Sequence, residues 1–304
     1  MNRYGKVAVL MGGDSTEREV SFLSGKAVLN SLIKSGVDAF AFAPLEEPLE
    51  KLKEYNCDRA FNLIHGKNGE DGKLQGALEY LKIPYTGSGV TASAIGMDKY
   101  RTKLIWKSLN IPVAESVYLE KDSYNKEDYK LTIALPVIVK PADDGSSLGF
   151  SRVTKIEDLY AAIDKAFAKT NKILIEKMII GSEYTITIFD GKVYPIIKIE
   201  APDGDYDFEH KYYSDETKYL AGYDLGELHK SIEKWALDGY NAIGASGVAR
   251  SDFMISNDGQ VYFLEINTLP GMTGHSLVPQ SLASVGINFD DLCLKILDGT
   301  SLVK

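Results

Sequence analysis

Two carboxylates, Asp252 and Glu265, are expected to face each other across a β-hairpin late in the chain. Ser246 to Ile255 and Val261 to Asn267 have the pattern of its two strands, and Asp258-Gly259 between them has the signature of a two-residue turn. Such a turn pairs residues at a constant index sum: Asn257 with Gln260, Asp252 with Glu265, Arg250 with Asn267. Period-two alternation then gathers Arg250, Asp252, Glu265 and Asn267 on one face. Like charges directly opposite each other destabilise a sheet, so the pair asks for a counter-ion. With the Asn267 amide oxygen added, the grouping suits a hard cation such as Mg2+ shared with phosphate. The alternative is a solvated outer face, and a three-residue turn would shift the register and undo the pairing.

A second chemical feature is the run Lys140-Pro-Ala-Asp-Asp-Gly-Ser-Ser-Leu-Gly149. It leaves a predicted strand through a lysine and enters a loop whose Gly145, Ser146, Ser147 and Gly149 can bring backbone N–H groups close to an anion. No Gly-Lys-Ser/Thr step follows, and no Gly-x-Gly-x-x-Gly opens the first helix, so neither a Walker loop nor a dinucleotide fingerprint is present. Alone, the loop reads more readily as a surface hairpin. Beside a downstream Asp, Glu and Asn constellation it reads as a nucleotide site, with cations for phosphates and a metal for developing charge.

The elements that must hold these residues alternate between strand and helix in the first third. Strands are predicted at Val7 to Met11, Ala39 to Ala43 and Arg59 to Ile64, with helices at Thr16 to Ser35, Pro48 to Tyr55 and Leu74 to Leu81, the pattern of an open parallel sheet wrapped by helices. Gly12-Gly13 and His65-Gly66 follow two of these strands, where such sheets bind ligands. A boundary is expected near the loop Pro84 to Gly89. Beyond a helix at Lys99 to Leu109, strands at Val113 to Val117, Val137 to Lys140 and Ile173 to Lys177 flank a helix at Ile156 to Ala168. A third region has strands at Glu183 to Phe189 and Lys192 to Glu200, a polar loop from Ala201 to Gly222, a helix at Leu225 to Ile243, the hairpin, and a final helical segment.

With 304 residues, 44% hydrophobic and 25% charged, the chain has the composition of a folded protein of two or three domains. A net charge of −9 argues against nucleic acid or an anionic membrane as the main partner. No apolar run approaches the ~18 residues of a spanning helix, and the opening residues lack a secretory signal, so the expected location is cytoplasmic. Cys57 and Cys293 lie too far apart to suggest a metal motif and read as small core residues.

Four motifs, Gly12 to Ser21 (Gly-Gly-Asp-Ser-Thr-Glu-Arg-Glu-Val-Ser), His65 to Gly72 (His-Gly-Lys-Asn-Gly-Glu-Asp-Gly), Lys211 to Thr217 (Lys-Tyr-Tyr-Ser-Asp-Glu-Thr) and Asn267 to Leu277 (Asn-Thr-Leu-Pro-Gly-Met-Thr-Gly-His-Ser-Leu), resemble in order and spacing those of the ATP-grasp ligases. Within them the chain is similar over nearly its whole length to the D-alanine–D-alanine ligase family. The resemblance implies an α/β, ATP-grasp architecture: an N-terminal open parallel sheet domain (1–90) followed by two α+β subdomains (91–178 and 179–304) that sandwich the nucleotide. It implies ATP and D-alanine as substrates, two Mg2+ or Mn2+ ions, an acyl phosphate intermediate and a role in peptidoglycan precursor synthesis, and is compatible with a homodimer.

Carried over by motif, the resemblance implies that Glu17 holds the first substrate's ammonium, linked to Ser146 and Tyr212. Arg250 and the backbone at Gly271 stand at the oxyanion, and Ser276 and Leu277 at the second substrate's carboxylate. His65 stands on the substrate side. Lys99, Lys140, Ser147 and Lys211 go to phosphates, Glu176 and Lys177 to the adenine edge, Glu183 to the ribose, and Asp252, Glu265 and Asn267 to metal. Glu17 also falls at a predicted helix start, where a carboxylate meets the helix dipole favourably. Related chains carry an apolar residue where Ser251 stands, and Asp143-Asp144 add negative charge to the anion loop. Two rival readings remain: a ligase of the same fold that makes the D-alanine–D-lactate ester, which would lack the tyrosine matched by Tyr212, and a non-catalytic ATP-sensing module.

Overall fold

The computed structural model describes residues 3–144, 149–202 and 217–302. Its first sheet is parallel, ordered β2-β1-β3, from β1 (Lys6–Leu10), β2 (Asp38–Phe42) and β3 (Arg59–Asn62). Parallel neighbours need crossovers, and helices α1 (Arg18–Lys34) and α2 (Lys51–Glu54) supply them. The buried face of α1 is small and polar as well as apolar, with Val20, Ser21, Ser24, Gly25, Val28, Ser31 and Leu32. Helix α3 (Lys73–Tyr80) follows β3, and Tyr85 then bridges both Ala60 and Ser301, so the late chain returns to this sheet.

Helix α4 (Val90–Met97) begins directly after the expected boundary loop Pro84 to Gly89, in a stretch where the sequence suggested no element. Its Thr, Ser and Gly residues mute the helical signal, and packing of Ala92, Ser93, Gly96 and Met97 decides the conformation. Asp98 then caps α5 (Lys99–Ser108), its carboxylate accepting from the Arg101 amide at 2.9 Å. This cap fixes Lys99 as the first residue of the helix.

A four-stranded antiparallel sheet, ordered β4-β7-β5-β6, comprises β4 (Ser116–Glu120), β5 (Val137–Pro141), β6 (Ser151–Val153) and β7 (Lys172–Lys177), covered by α6 (Leu159–Phe167). The strand expected at Val113 begins instead at Ser116, and Val113 makes only a single bridge to Phe263. The third sheet contains β8 (Gly181–Phe189), β9 (Lys192–Val193), β10 (Ile197–Glu200), β11 (Lys218–Ala221), β12 (Val248–Ser256) and β13 (Val261–Asn267). The strand expected at Lys192 to Glu200 is thus two pieces separated at Tyr194 to Ile196, where Pro195 has no N–H to give a ladder. Helix α7 (His229–Ala242) covers this sheet, packing Ile232, Ala236 and Tyr240 against Ile186, Ile188 and Phe253.

The last two helices, α8 (Leu277–Ala283) and α9 (Phe289–Asp298), return to the first sheet. Val278, Leu282, Leu292, Cys293, Ile296 and Leu297 share one core with Val7, Val9, Val28 and Leu32.

Candidate active site

The hairpin turn differs from its sequence signature. Ser256 N–H donates to Gln260 O at 2.9 Å and Gly259 N–H to Ser256 O at 2.8 Å, leaving Asn257, Asp258 and Gly259 as a three-residue turn. Gly259 takes φ +82°, the left-handed position that such a turn gives to glycine. Near the tip, pairs therefore run Ile255 with Val261, Met254 with Tyr262 and Phe253 with Phe263, one residue out of the expected register. The register then shifts between Phe253 and Asp252, with Leu264 as the extra residue on β13, and beyond it Asp252 faces Glu265, Ser251 faces Ile266 and Arg250 faces Asn267. A β-bulge adds one residue to one strand. Here it cancels the longer turn, so the facing carboxylates survive although the turn that predicted them does not.

Each carboxylate already has a cation. Asp252 accepts from Arg250 Nε and Nη2 at 2.8 and 2.7 Å and from Thr185 Oγ1 at 2.6 Å. Glu265 Oε2 lies 3.1 Å from Lys99 Nζ, which also donates to Asp144 O at 2.7 Å. Burial would lower the Lys99 pKa, but the carboxylates around it, Glu265 foremost with Asp144 and Glu176, together more than offset this and leave it raised. Asn267 Oδ1 accepts the Leu269 amide at 2.8 Å, which bends the chain into the loop carrying Gly271.

Glu17, His65, Lys99, Arg250, Glu265, Asn267, Gly271, Ser276 and Leu277 line one cavity of about 310 Å3. It lies between the carboxyl ends of the first sheet's strands and the β12–β13 hairpin. Glu17 is the residue immediately before α1, and it is buried. His65 is positioned by a tight loop in which the Glu70 and Gly69 amides both donate to Gly66 O. A Cβ on Gly69 would lie 1.9 Å from Ile64 O, so only glycine permits this closure. The loop returns Glu70 to His65, with Oε1 3.4 Å from Nδ1. His65 Nδ1 also meets Leu269 O at 3.1 Å, and Nε2 meets Ser24 Oγ at 3.2 Å. Facing two acceptors, Nδ1 carries a proton in either charge state. Burial pushes the imidazole toward neutrality, but the Glu70 and Glu17 carboxylates and the Leu269 carbonyl together outweigh this and raise its pKa. Ser24 Oγ further accepts the Met272 amide at 3.2 Å, tying α1 to the loop around Gly271. At the far side, Ser276 precedes α8 and its Oγ accepts the Thr273 amide at 2.9 Å.

Lys140 and Glu176 form a second group. The Lys140 ammonium is in contact with Glu176 Oε2, while Lys103 Nζ lies 2.8 Å from Oε1 and 3.2 Å from Phe263 O. Lys177 is exposed and Glu183 partly exposed, and neither lines the cavity. Ser146, Ser147, Lys211 and Tyr212 lie outside the described residues. Among the described residues no cluster of three or more His, Cys, Asp or Glu side chains has metal-binding geometry. The donor set is instead two facing carboxylates and one amide, which fits a hard cation.

Four residues of these networks escaped the sequence reading. Lys103 lies one turn after Lys99 on the same helix, a spacing that puts both on one face. Glu70 belongs to the His65 motif. Ser24 is a polar residue on the buried face of α1, which is itself informative. Thr185 carries no local signal, because its role depends on β8 pairing with β12.

Comparison with known proteins bears on the family and the fold. Residues 41–88 match the family model described as D-ala D-ala ligase N-terminus, and residues 105–298 match D-ala D-ala ligase C-terminus. The chain is 50% identical over 300 residues to a D-alanine–D-alanine ligase of Neisseria gonorrhoeae (strain NCCP11945), covering 98% of each chain. It is 46% identical over 304 residues to one from Aromatoleum aromaticum, covering 99% of this chain and 97% of the other. The crystal structure of the Bacillus anthracis D-alanine–D-alanine ligase complexed with ATP superimposes with a TM-score of 0.85 at 33% identity, covering 97% of both chains. The fold is therefore the ATP-grasp architecture, and the chain belongs to the D-alanine–D-alanine ligase family.

Proposed function

We propose that this protein joins two D-alanines to D-alanyl-D-alanine at the expense of ATP, and does so in the cytoplasm as a step of peptidoglycan precursor synthesis. The observation that carries the reading is the single cavity shared by Glu17, His65, Arg250, Gly271, Ser276 and Leu277, with Lys99 on its wall. A carboxylate oxygen of the first D-alanine attacks the γ-phosphorus of ATP, forming the acyl phosphate and releasing ADP. The neutral amine of the second then attacks the carbonyl carbon, the tetrahedral intermediate expels phosphate, and the nitrogen loses its proton.

In this assignment the Glu17 carboxylate holds the first ammonium, and His65 flanks that substrate. Arg250 and the Gly271 amide face the oxyanion, stabilising charge that develops only in the transition state. Ser276 and Leu277 receive the second carboxylate. Lys99 and Lys140 follow the phosphates as mobile point charges, with Ser147 and Lys211 assigned to the same partner. Glu176 and Lys177 stand at the adenine and Glu183 at the ribose. Asp252, Glu265 and Asn267 would hold Mg2+ or Mn2+, which when bound neutralises charge on the transferring phosphoryl group. Their present cations, Arg250 and Lys99, are both cavity residues and so are placed to face substrate as well as these carboxylates.

We assign three units, 1–90, 91–178 and 179–304, one to each sheet, with α8 and α9 of the last completing the core of the first. The test is product identification after incubation with ATP, Mg2+, D-alanine and D-lactate. D-alanyl-D-alanine with one ADP per bond is expected. Ester as the main product, or phosphate release indifferent to D-alanine, would overturn the reading.

A further inference from the structure

Glu176 is a buried carboxylate with two ammonium partners. Its side chain is 5% exposed, that of Lys103 3% and that of Lys140 17%. A carboxylate needs one positive charge to be neutralised, so this group carries a surplus of +1. Surplus charge in a poorly hydrated place attracts an anion. The two lysines differ in freedom. Lys103 sits within α5 and is held by a further contact to Phe263 O on β13, 3.2 Å away. Lys140 is at the end of β5, at the entrance to the anion loop, and is the more exposed of the two.

Stranding a buried charge is costly, so a lone Lys140 could not leave Glu176 for another anion without a large penalty. With Lys103 in place the penalty disappears, because Glu176 retains a partner. We propose that Lys103 is a positioning residue, the resident counter-ion of Glu176 that releases Lys140 to the polyphosphate of the nucleotide. This rests on the reading of Lys140 as a phosphate contact. Lys103 touches no substrate in this scheme. Its effect on ATP passes entirely through the charge of Glu176.

A double-mutant cycle on the full chain tests it, with ATP affinity measured by calorimetry in the presence of Mg2+ and without D-alanine. Lys103→Gln keeps a donor for Phe263 O but removes the charge, and should weaken ATP binding by about tenfold. In the Glu176→Gln background, where nothing needs neutralising, the same substitution should change affinity by less than about twofold. Lys103→Arg should stay close to the native protein. An equal loss in both backgrounds would overturn the proposal, since a direct or merely structural role would not depend on Glu176. If Lys103→Gln alone fails to fold, the comparison of the double variant with Glu176→Gln still decides, through the same twofold limit. A native protein that binds ATP but is indifferent to Lys140→Met would instead remove the underlying assignment of Lys140.

Discussion

At the scale of single residues, the facing carboxylates behave differently from a bare like-charged pair. Relief of repulsion would make Asp252→Asn or Glu265→Gln stabilising. In the structure each instead removes one partner of a partly buried cation, Arg250 or Lys99. Both variants are therefore expected to lose dipeptide synthesis and to melt about 2–4 °C lower. A higher melting temperature would show that the two anions repel in the resting protein. Ser24 is a second case. Ser24→Ala leaves the Met272 amide and His65 Nε2 facing a methyl group in a buried place, at a cost of about 1–3 kcal/mol. Because that amide belongs to the loop of Gly271, the expected outcome is a fall in kcat alongside the fall in stability, and an unchanged kcat would limit Ser24 to packing.

At the scale of elements, the hairpin shows what local sequence does and does not determine. Asp258-Gly259 announces a turn but not its length, and the left-handed Gly259 settles on three residues. The Leu264 bulge has no sequence signature, since it exists only to reconcile that turn with the pairing of β12 between β8 and β13. The parallel sheet was legible from short apolar strands alternating with helix-length segments, whereas α4, rich in Ser, Thr and Gly, was not. The cavity residues were legible through motif, yet the ion pairing among them was not, because Lys99 meets Glu265 only after the chain has crossed between sheets. Gly259 has open space around it, so Gly259→Ala is expected to cost about 1–2 kcal/mol through its backbone alone. Denaturant unfolding would read this loss, and ligase activity at low temperature should remain native.

Over the whole molecule, the buried group of Lys103, Lys140 and Glu176 joins helix α5 to two sheets. Burial pushes the Glu176 carboxyl up, but the two ammonium groups reverse this and hold it at about 2, below its ordinary 4.5. A depressed carboxylate pKa contributes stability that is complete above the unfolded value and is lost as pH falls toward the folded one. The native protein should therefore lose stability between about pH 5 and pH 2 more steeply than Glu176→Gln. Parallel urea titrations at fixed pH values would show the difference, and coincident slopes would mean that Glu176 is not ionised in the fold.

The return of α8 and α9 to the first sheet also bears on the order in which the protein is made. Residues 6–62 contain every strand of that sheet and leave the ribosome before the other two sheets, but Val7, Val9, Val28 and Leu32 share their core with Leu292, Cys293, Ile296 and Leu297. Vectorial synthesis thus leaves the first sheet with an open apolar face until α8 and α9 are made, the exposure that invites chaperones. Nascent chains stalled after residue 276 are expected to be cut rapidly within Arg18–Lys34, and released full-length chains to resist. Equal resistance would show that the first sheet closes its core unaided. On the expected outcome, the substrate cavity between the first sheet and the hairpin is completed only when the final helices dock, so no partial chain can begin the reaction.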